Sequence, residues 1–210
     1  MPKVFITGTD TGVGKTVASA LLCAALDAMY WKPIQTGTRE GTDTNAVIRL
    51  AGIPRNRTIP EAYRFAPPVS PHLAAQRAGV RIGFRKIHLP PVASPHTLIV
   101  EGAGGVLVPI NGRQKMIDLM KQLRLPVLLV SRTSLGTINH TLLSLAALRA
   151  GKLKVRGVIL SGKENRDNRR AIEHYGDVQV VGWIPFLNKI DRAALLRVFE
   201  NEFDAKVFAA

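Results

Sequence analysis

The chain has 210 residues, with 29 Lys+Arg against 15 Asp+Glu for a net charge of +14, and 46% of its residues are hydrophobic. That length and composition fit one globular domain over residues 1–210 with a sizeable core, and exclude a membrane-spanning helix, since no apolar run approaches the ~18 residues such a helix requires. The apolar run after Met-Pro-Lys stops at Gly8, too short for the core of a signal peptide, so a cytoplasmic protein is expected. Cys23, the lone cysteine, sits in Ala-Leu-Leu-Cys-Ala-Ala, where a buried structural thiol is expected rather than a redox centre.

Short apolar runs alternate with helical patterns along the chain, the sequence form of strand-helix units around a parallel sheet. Strands are predicted at Lys3 to Thr7, Met29 to Gln35, Thr97 to Glu101, Pro126 to Ser131, Val155 to Leu160 and Val178 to Trp183. Helices are predicted at Lys15 to Ala28, Thr44 to Ala51, around Leu119 to Leu123, Ile138 to Ala150, Arg166 to His174 and Arg192 to Glu202. Most of the strands are apolar throughout their middles, which implies cover on both faces. From Gly52 to Pro95 lie eight of the thirteen prolines, so this stretch is expected to leave the sheet as loops and short helices such as Pro71 to Ala78. The basic surplus is densest from Arg149 to Arg170, but the apolar segment Gly157-Val-Ile-Leu160 interrupts it and the whole chain is only 6% aromatic. A base-stacking platform is missing, and no nucleic-acid or membrane partner is expected; anionic small molecules suit the charge.

The strongest motif is Gly8-Thr-Asp-Thr-Gly-Val-Gly14-Lys15-Thr16 between the first strand and first helix. Glycines let backbone N–H groups surround phosphate oxygens, the helix start adds partial positive charge, Lys15 reaches the outer phosphates and the Thr16 hydroxyl can ligate Mg²⁺. Gly12, Val13, Gly14, Lys15, Thr16 and Val17 are thus nucleotide-site candidates. The spacing is irregular, since Gly8 lies one position earlier than usual and Thr9 takes its place. The expected fold is therefore α/β, three-layered and P-loop NTPase-like, with a mostly parallel central sheet flanked by helices. A second metal ligand is expected at the end of a neighbouring apolar strand. Glu101 ends Leu98-Ile-Val-Glu101 and runs into Gly102-Ala-Gly-Gly105, either as that ligand or as a buried cap of the glycine turn. Asp43 is either a further ligand or a helix N-cap. Lys32, taken alone, fits a surface lysine before a proline better than a catalytic one.

Together, Thr7-Gly-Thr-Asp-Thr-Gly-Val-Gly-Lys-Thr16, Tyr30-Trp-Lys32-Pro-Ile-Gln-Thr36-Gly37, Ser70-Pro-His72, Val100-Glu101-Gly-Ala-Gly-Gly105 with Pro109, Leu135-Gly-Thr-Ile-Asn139-His140 and Gly182-Trp-Ile-Pro185 resemble the dethiobiotin synthases of biotin biosynthesis. The resemblance implies ATP- and Mg²⁺-dependent closure of a cyclic urea on 7,8-diaminononanoate with CO₂, through a carbamate and a carbamic-phosphoric mixed anhydride. It implies catalytic roles for Lys15, Lys32 and Thr11, and Mg²⁺ held by Thr16, Asp43 and Glu101. Thr36 and the stretch Glu101, Gly102, Ala103, Gly104 and Gly105 would lie along the diamine, and Ser161 and Pro185 by the nucleotide. Gly136, Thr137, Ile138 and Asn139 would come from a second subunit to take the substrate's carboxylate, so a homodimer is implied. Two positions depart from the family: Ser134 stands where some members carry a lysine, leaving the helix end and Arg132 for the carboxylate, and Ser161 stands where an asparagine often reads adenine.

Two rival readings use similar loops. A cobyrinic acid diamide synthase-like enzyme would need a glutaminase domain for which this chain has neither room nor nucleophile. A regulatory ATPase of the chromosome-partitioning type would carry a second lysine where this chain has Asp10. The histidines at 72, 88, 96, 140 and 174 lack metal-ligand spacing, and structural or hydrogen-bonding roles are expected for His72 and His140.

Overall fold

The computed structural model describes residues 3–91 and 97–208. Val92 to Pro95, the end of the proline-rich stretch, and His96 lie outside the described residues. The chain runs through β1 (Lys3–Gly8), α1 (Lys15–Ala25), β2 (Met29–Trp31), β3 (Ile34–Gln35), α2 (Asp43–Ala51), β4 (Thr58–Ile59), β5 (Tyr63–Arg64), α3 (Pro71–Arg77) and β6 (Leu98–Gly105). It continues through α4 (Met116–Leu123), β7 (Val127–Arg132), α5 (Thr137–Ala150), β8 (Val155–Ser161), α6 (Arg166–Gly176), β9 (Val180–Ile184), α7 (Arg192–Glu202) and α8 (Ala205–Phe208).

Seven strands form one sheet in the order β4-β2-β6-β1-β7-β8-β9, and every neighbouring pair is parallel. Val4 and Ile6 face the layer carrying Leu21 of α1, Val47 of α2 and Leu195 of α7. Phe5 faces the opposite layer with Ala74 of α3, Leu119 of α4, Leu145 of α5 and Ile172 of α6. Both faces are covered, which is why these strands are apolar without alternation. The three-layer parallel architecture matches the sequence reading.

Several boundaries differ. The strand expected from Met29 to Gln35 breaks at Pro33, which has no N–H for the ladder, and β3 pairs instead with β5 in a separate two-stranded sheet. The proline-rich stretch, without a clean strand signal, contributes the two-residue strands β4 and β5 as well as α3. Helix α1 stops at Ala25, and Asp27 takes a left-handed φ of 48°. Helix α5 starts one residue earlier than expected, at Thr137, and β9 is shifted to Val180–Ile184.

Gly182 in β9 is a packing requirement. The Phe203 ring lies so close that a Cβ at this position would overlap it, and that ring is held against Phe199 at 5.5 Å and Phe208 at 6.0 Å. Gly182→Ala is therefore expected to lower stability by about 1–3 kcal/mol through overpacking. Urea denaturation measures this, and an unchanged midpoint would mean the ring moves aside freely.

Candidate active site

The glycine-rich turn after β1 delivers the chain into α1 through Gly14, whose φ of 96° is left-handed and suits glycine over residues with a Cβ. A side chain there would also meet Ser161 Oγ, 2.7 Å from the position of its Cβ, so Ser161 at the end of β8 sits against the loop. Lys15 follows with only 7% of its surface exposed. Its Nζ donates to the Asp10 carbonyl at 2.7 Å. Burial pulls this amine well below the usual lysine value, to about 8, against the opposing pull of Glu101.

Helical spacing puts Thr16 and Ser19 on one face of α1, and both hydroxyls point at Glu101. The parallel register pairs Ile6 with Glu101, which brings that carboxylate beside α1 at the strand's carboxyl end. Glu101 is 1% exposed. Its Oε2 accepts from Ser19 Oγ at 2.8 Å and Tyr30 OH at 3.0 Å. Its Oε1 accepts from Lys32 Nζ at 2.9 Å and lies 3.0 Å from Thr16 Oγ1. Asp43 completes the cluster, with Oδ1 2.7 Å from Thr16 Oγ1 and Oδ2 2.8 Å from Lys32 Nζ. The Asp43 N–H in turn donates to Gln35 Oε1 at 3.0 Å.

Burial alone would lower the Lys32 pKa, but the facing Glu101 and Asp43 carboxylates outweigh it and hold the ammonium above the ordinary range. Burial works the other way on Asp43, and there Lys32, Thr16 and Gln35 prevail and hold the carboxyl below its usual value. Tyr30 is pushed up by burial and by Glu101, so its phenol stays a donor.

The geometry narrows the alternatives left open by the sequence. Lys32 is 5% exposed rather than superficial. The cap of α2 is Thr42, which accepts from Asn45 N–H at 3.1 Å, leaving Asp43 as the first helical residue with its carboxylate turned to Lys32. Glu101 binds hydroxyls and an ammonium. Thr16, Asp43 and Glu101 present converging oxygens, the donor set of a hard divalent cation.

These groups form the floor of a cleft of about 940 Å³, whose lining includes Thr11, Gly12, Gly14, Lys15, Thr16, Val17, Lys32, Thr36, Asp43, Glu101, Ala103 and Gly104. Not every candidate is there. Val13 and Gly102 are buried, and Gly105 lines a second cleft of about 430 Å³ with Asp10, Leu107 and His140. Gly136, Ile138 and Asn139 stand at the start of α5, and Pro185 follows β9, outside the main cleft's lining. Thr137 is 1% exposed, and its hydroxyl is engaged by the Arg132 carbonyl and by Ser131 Oγ at 2.8 Å. Arg132, expected to serve a ligand carboxylate, pairs with Asp10 Oδ2 at 3.0 Å. His72 Nδ1 lies 3.0 Å from Ser70 Oγ, a local structural contact.

Ser19, Tyr30 and Gln35 escaped the sequence reading. Signals existed: Ser19 follows Thr16 at one helical turn, and Tyr30 precedes Lys32 at the two-residue spacing of one strand face. Among the described residues no group of three or more His, Cys, Asp or Glu is placed to hold a metal, so a cation site here depends on the Thr16 hydroxyl joining two carboxylates. No helix of the described residues is long and apolar enough to cross a membrane.

A family model described as an AAA domain matches residues 2–194. The chain is 46% identical over 206 residues to the ATP-dependent dethiobiotin synthetase BioD of Rhodopseudomonas palustris strain TIE-1, covering 98% of this chain and 96% of that protein. It is 45% identical to the protein of the same name from Brucella melitensis biotype 2, covering 99% and 97%. Among solved structures, a ParA family ATPase from Chlorobium tepidum matches with a TM-score of 0.52 at 14% identity, covering 94% of this chain and 90% of that one. The MinC:MinD cell division complex of Aquifex aeolicus matches with a TM-score of 0.51 at 14% identity, covering 94% and 86%. At such identities these two likenesses concern the fold alone.

Proposed function

Since the chain belongs to the ATP-dependent dethiobiotin synthetase family, we propose that it is the carbon-nitrogen cyclo-ligase that closes the ureido ring of dethiobiotin from 7,8-diaminononanoate, CO₂ and ATP in biotin biosynthesis. The observation that carries this reading is the buried Lys32–Asp43–Glu101–Thr16 cluster on the floor of the same cleft as Lys15. In the reaction one amine captures CO₂ as a carbamate, ATP phosphorylates that carbamate, and the second amine attacks the mixed anhydride with loss of phosphate. Each step gathers negative charge on oxygen atoms, and two preorganised ammonium groups in a partly dry cleft stabilise it better than water does. Thr11 and Thr36 line the same cleft and supply hydroxyls for orientation.

Thr16, Asp43 and Glu101 would hold Mg²⁺, and their all-oxygen set suits it. When bound, the ion would neutralise phosphate charge. Lys32 would then exchange its carboxylate partners in part for the carbamate, which explains why so buried a cation is held at the rim of two acids. Gly12 to Val17 would wrap the phosphates, with Ser161 and Pro185 toward the nucleoside and Ala103 and Gly104 along the diamine.

The turn before α5 supports a homodimer. Leu135 is fully exposed, and Leu107 and Leu143 are 53% and 62% exposed, an apolar surface that a second copy would cover. The amides of Gly136 to Asn139 would then reach the neighbour's substrate carboxylate. A cytoplasmic setting is part of the same reading.

The deciding assay is phosphate release with MgATP, bicarbonate and 7,8-diaminononanoate, with mass analysis of the product. Diamine-dependent release and a product heavier by one carbonyl less the two hydrogens it replaces are expected; release indifferent to the diamine would overturn the assignment and favour the regulatory ATPase. A proton readout accompanies nucleotide binding. The empty site holds Lys15 to about 8, whereas a bound phosphate favours the ammonium, so ADP binding at pH 8.5 is expected to take up as much as about three-quarters of a proton. Calorimetry in buffers of unlike ionisation enthalpy measures it, with uptake vanishing by pH 7, where the amine is already charged.

A further inference from the structure

Asp10 lines the second cleft, beside Thr11 of the main one, and its two ends do different work. Its carbonyl points inward and accepts from Lys15 Nζ at 2.7 Å. Its carboxylate accepts from the Thr11 N–H at 2.7 Å through Oδ1 and from Arg132 at 3.0 Å through Oδ2. A carboxylate inside a loop built to surround phosphate raises a difficulty, because an uncompensated negative charge there repels the ligand.

Arg132 is placed to remove that difficulty. It ends β7, next to β1 in the sheet, and its own backbone is fixed from behind. Thr137 Oγ1 donates to the Arg132 carbonyl, and Ser131 Oγ links Thr137 and Thr141 hydroxyls at 2.8 and 2.7 Å. Ser131, Thr137 and Thr141 are all buried. The guanidinium therefore extends from an anchored strand end to the Asp10 carboxylate.

We propose that Arg132 is a positioning residue for the nucleotide, acting as counter-ion to Asp10 so that the phosphate loop can keep a carboxylate at its tip without repelling the triphosphate. The idea rests on the nucleotide-site reading above. It also joins the phosphate loop to the start of α5, since the same strand end that neutralises Asp10 carries the Arg132 carbonyl that anchors Thr137.

Arg132→Gln should weaken Mg-ADP binding by about 3- to 10-fold at low salt, and the loss should shrink in 1 M salt, where exposed charges are screened. The KM for ATP should rise while the KM for the diamine holds. Asp10→Asn should bind at least as tightly as the unmodified protein, because its side-chain oxygen still accepts from Thr11 and Arg132 gains a free charge. The decisive variant is Asp10→Asn/Arg132→Gln, in which nothing remains to be neutralised, and ADP affinity should return to within about twofold of the unmodified protein.

A purely structural Arg132 would leave the double variant as weak as the single, overturning the proposal. So would unchanged ADP binding in Arg132→Gln, or a rise confined to the KM for the diamine, which would return Arg132 to the substrate's carboxylate. Failure of the unmodified protein to bind Mg-ADP would overturn the nucleotide reading itself, and the counter-ion role with it.

Discussion

Lys15→Met is expected to cut diamine-dependent phosphate release by about 10²–10³-fold or more while leaving the melting temperature unchanged or higher. The two effects have one origin. Lys15 is almost wholly buried, and its amine donates to a neutral carbonyl, that of Asp10; among the described residues no carboxylate lies within ion-pair distance of it. Its amine is accordingly held to about 8, so at pH 7 the charge costs the fold ~3 kcal/mol relative to water. Methionine has a similar length and no charge to desolvate. The sign can be checked by pH. An amine that titrates lower in the folded state imposes its full penalty below pH 8 and progressively less as pH rises toward the unfolded value. The variant's advantage should therefore be greatest near neutrality and fade by about pH 10. Thermal unfolding across that range measures it, and a large loss of stability at pH 7 would show that Lys15 is a structural cation instead.

Such a residue is legible from sequence because its function depends on local geometry. Gly14, Lys15 and Thr16 are adjacent, and the turn, the helix start and the hydroxyl all follow from a few consecutive residues. The alternation of apolar runs with helical patterns likewise gave the parallel sheet, since burial on both faces writes itself into each strand separately. Lys32 was different. Its role requires knowing that β6 lies between β1 and β2, so that Glu101 arrives beside both Tyr30 and α1, and strand order is a long-range property that no local pattern encodes. The ambiguity of Asp43 had the same source: cap and ligand are alike in sequence, and only the position of Thr42 and the reach of Lys32 exclude the cap. Pro33 shows the opposite failure, a local signal present in the sequence but overridden by the apolar run around it. The pairing of Arg132 with Asp10 spans 122 residues and leaves no local trace at all.

Lys32→Met should be equally inactive but, in contrast to the change at Lys15, severely destabilising. Here the buried ammonium has two carboxylates within 3 Å, at 2.8 and 2.9 Å, and it is held charged by them. Deleting it leaves Glu101, 1% exposed, and Asp43 facing each other with hydroxyl donors alone. Breaking a buried pair by removing one member costs about 3–5 kcal/mol, because the remaining charge is uncompensated. Like-charge proximity adds to that cost. The pH dependence has the opposite direction to that of Lys15. Asp43 is held below its usual value in the intact cluster, so its contribution to stability is present above the unfolded carboxylate pKa and is lost as pH falls through the folded one. In the variant Asp43 loses the cation that holds it low, so the deficit should be widest at pH 7–8 and narrow as the medium becomes acidic. Denaturation by urea at several pH values follows this directly. The variant Lys32→Met/Glu101→Gln separates stability from chemistry: removing one acid with the cation should recover much of the lost stability, while diamine-dependent phosphate release stays absent. A single variant as stable as the unmodified protein at pH 7 would mean that Lys32 is held in place by packing rather than by charge.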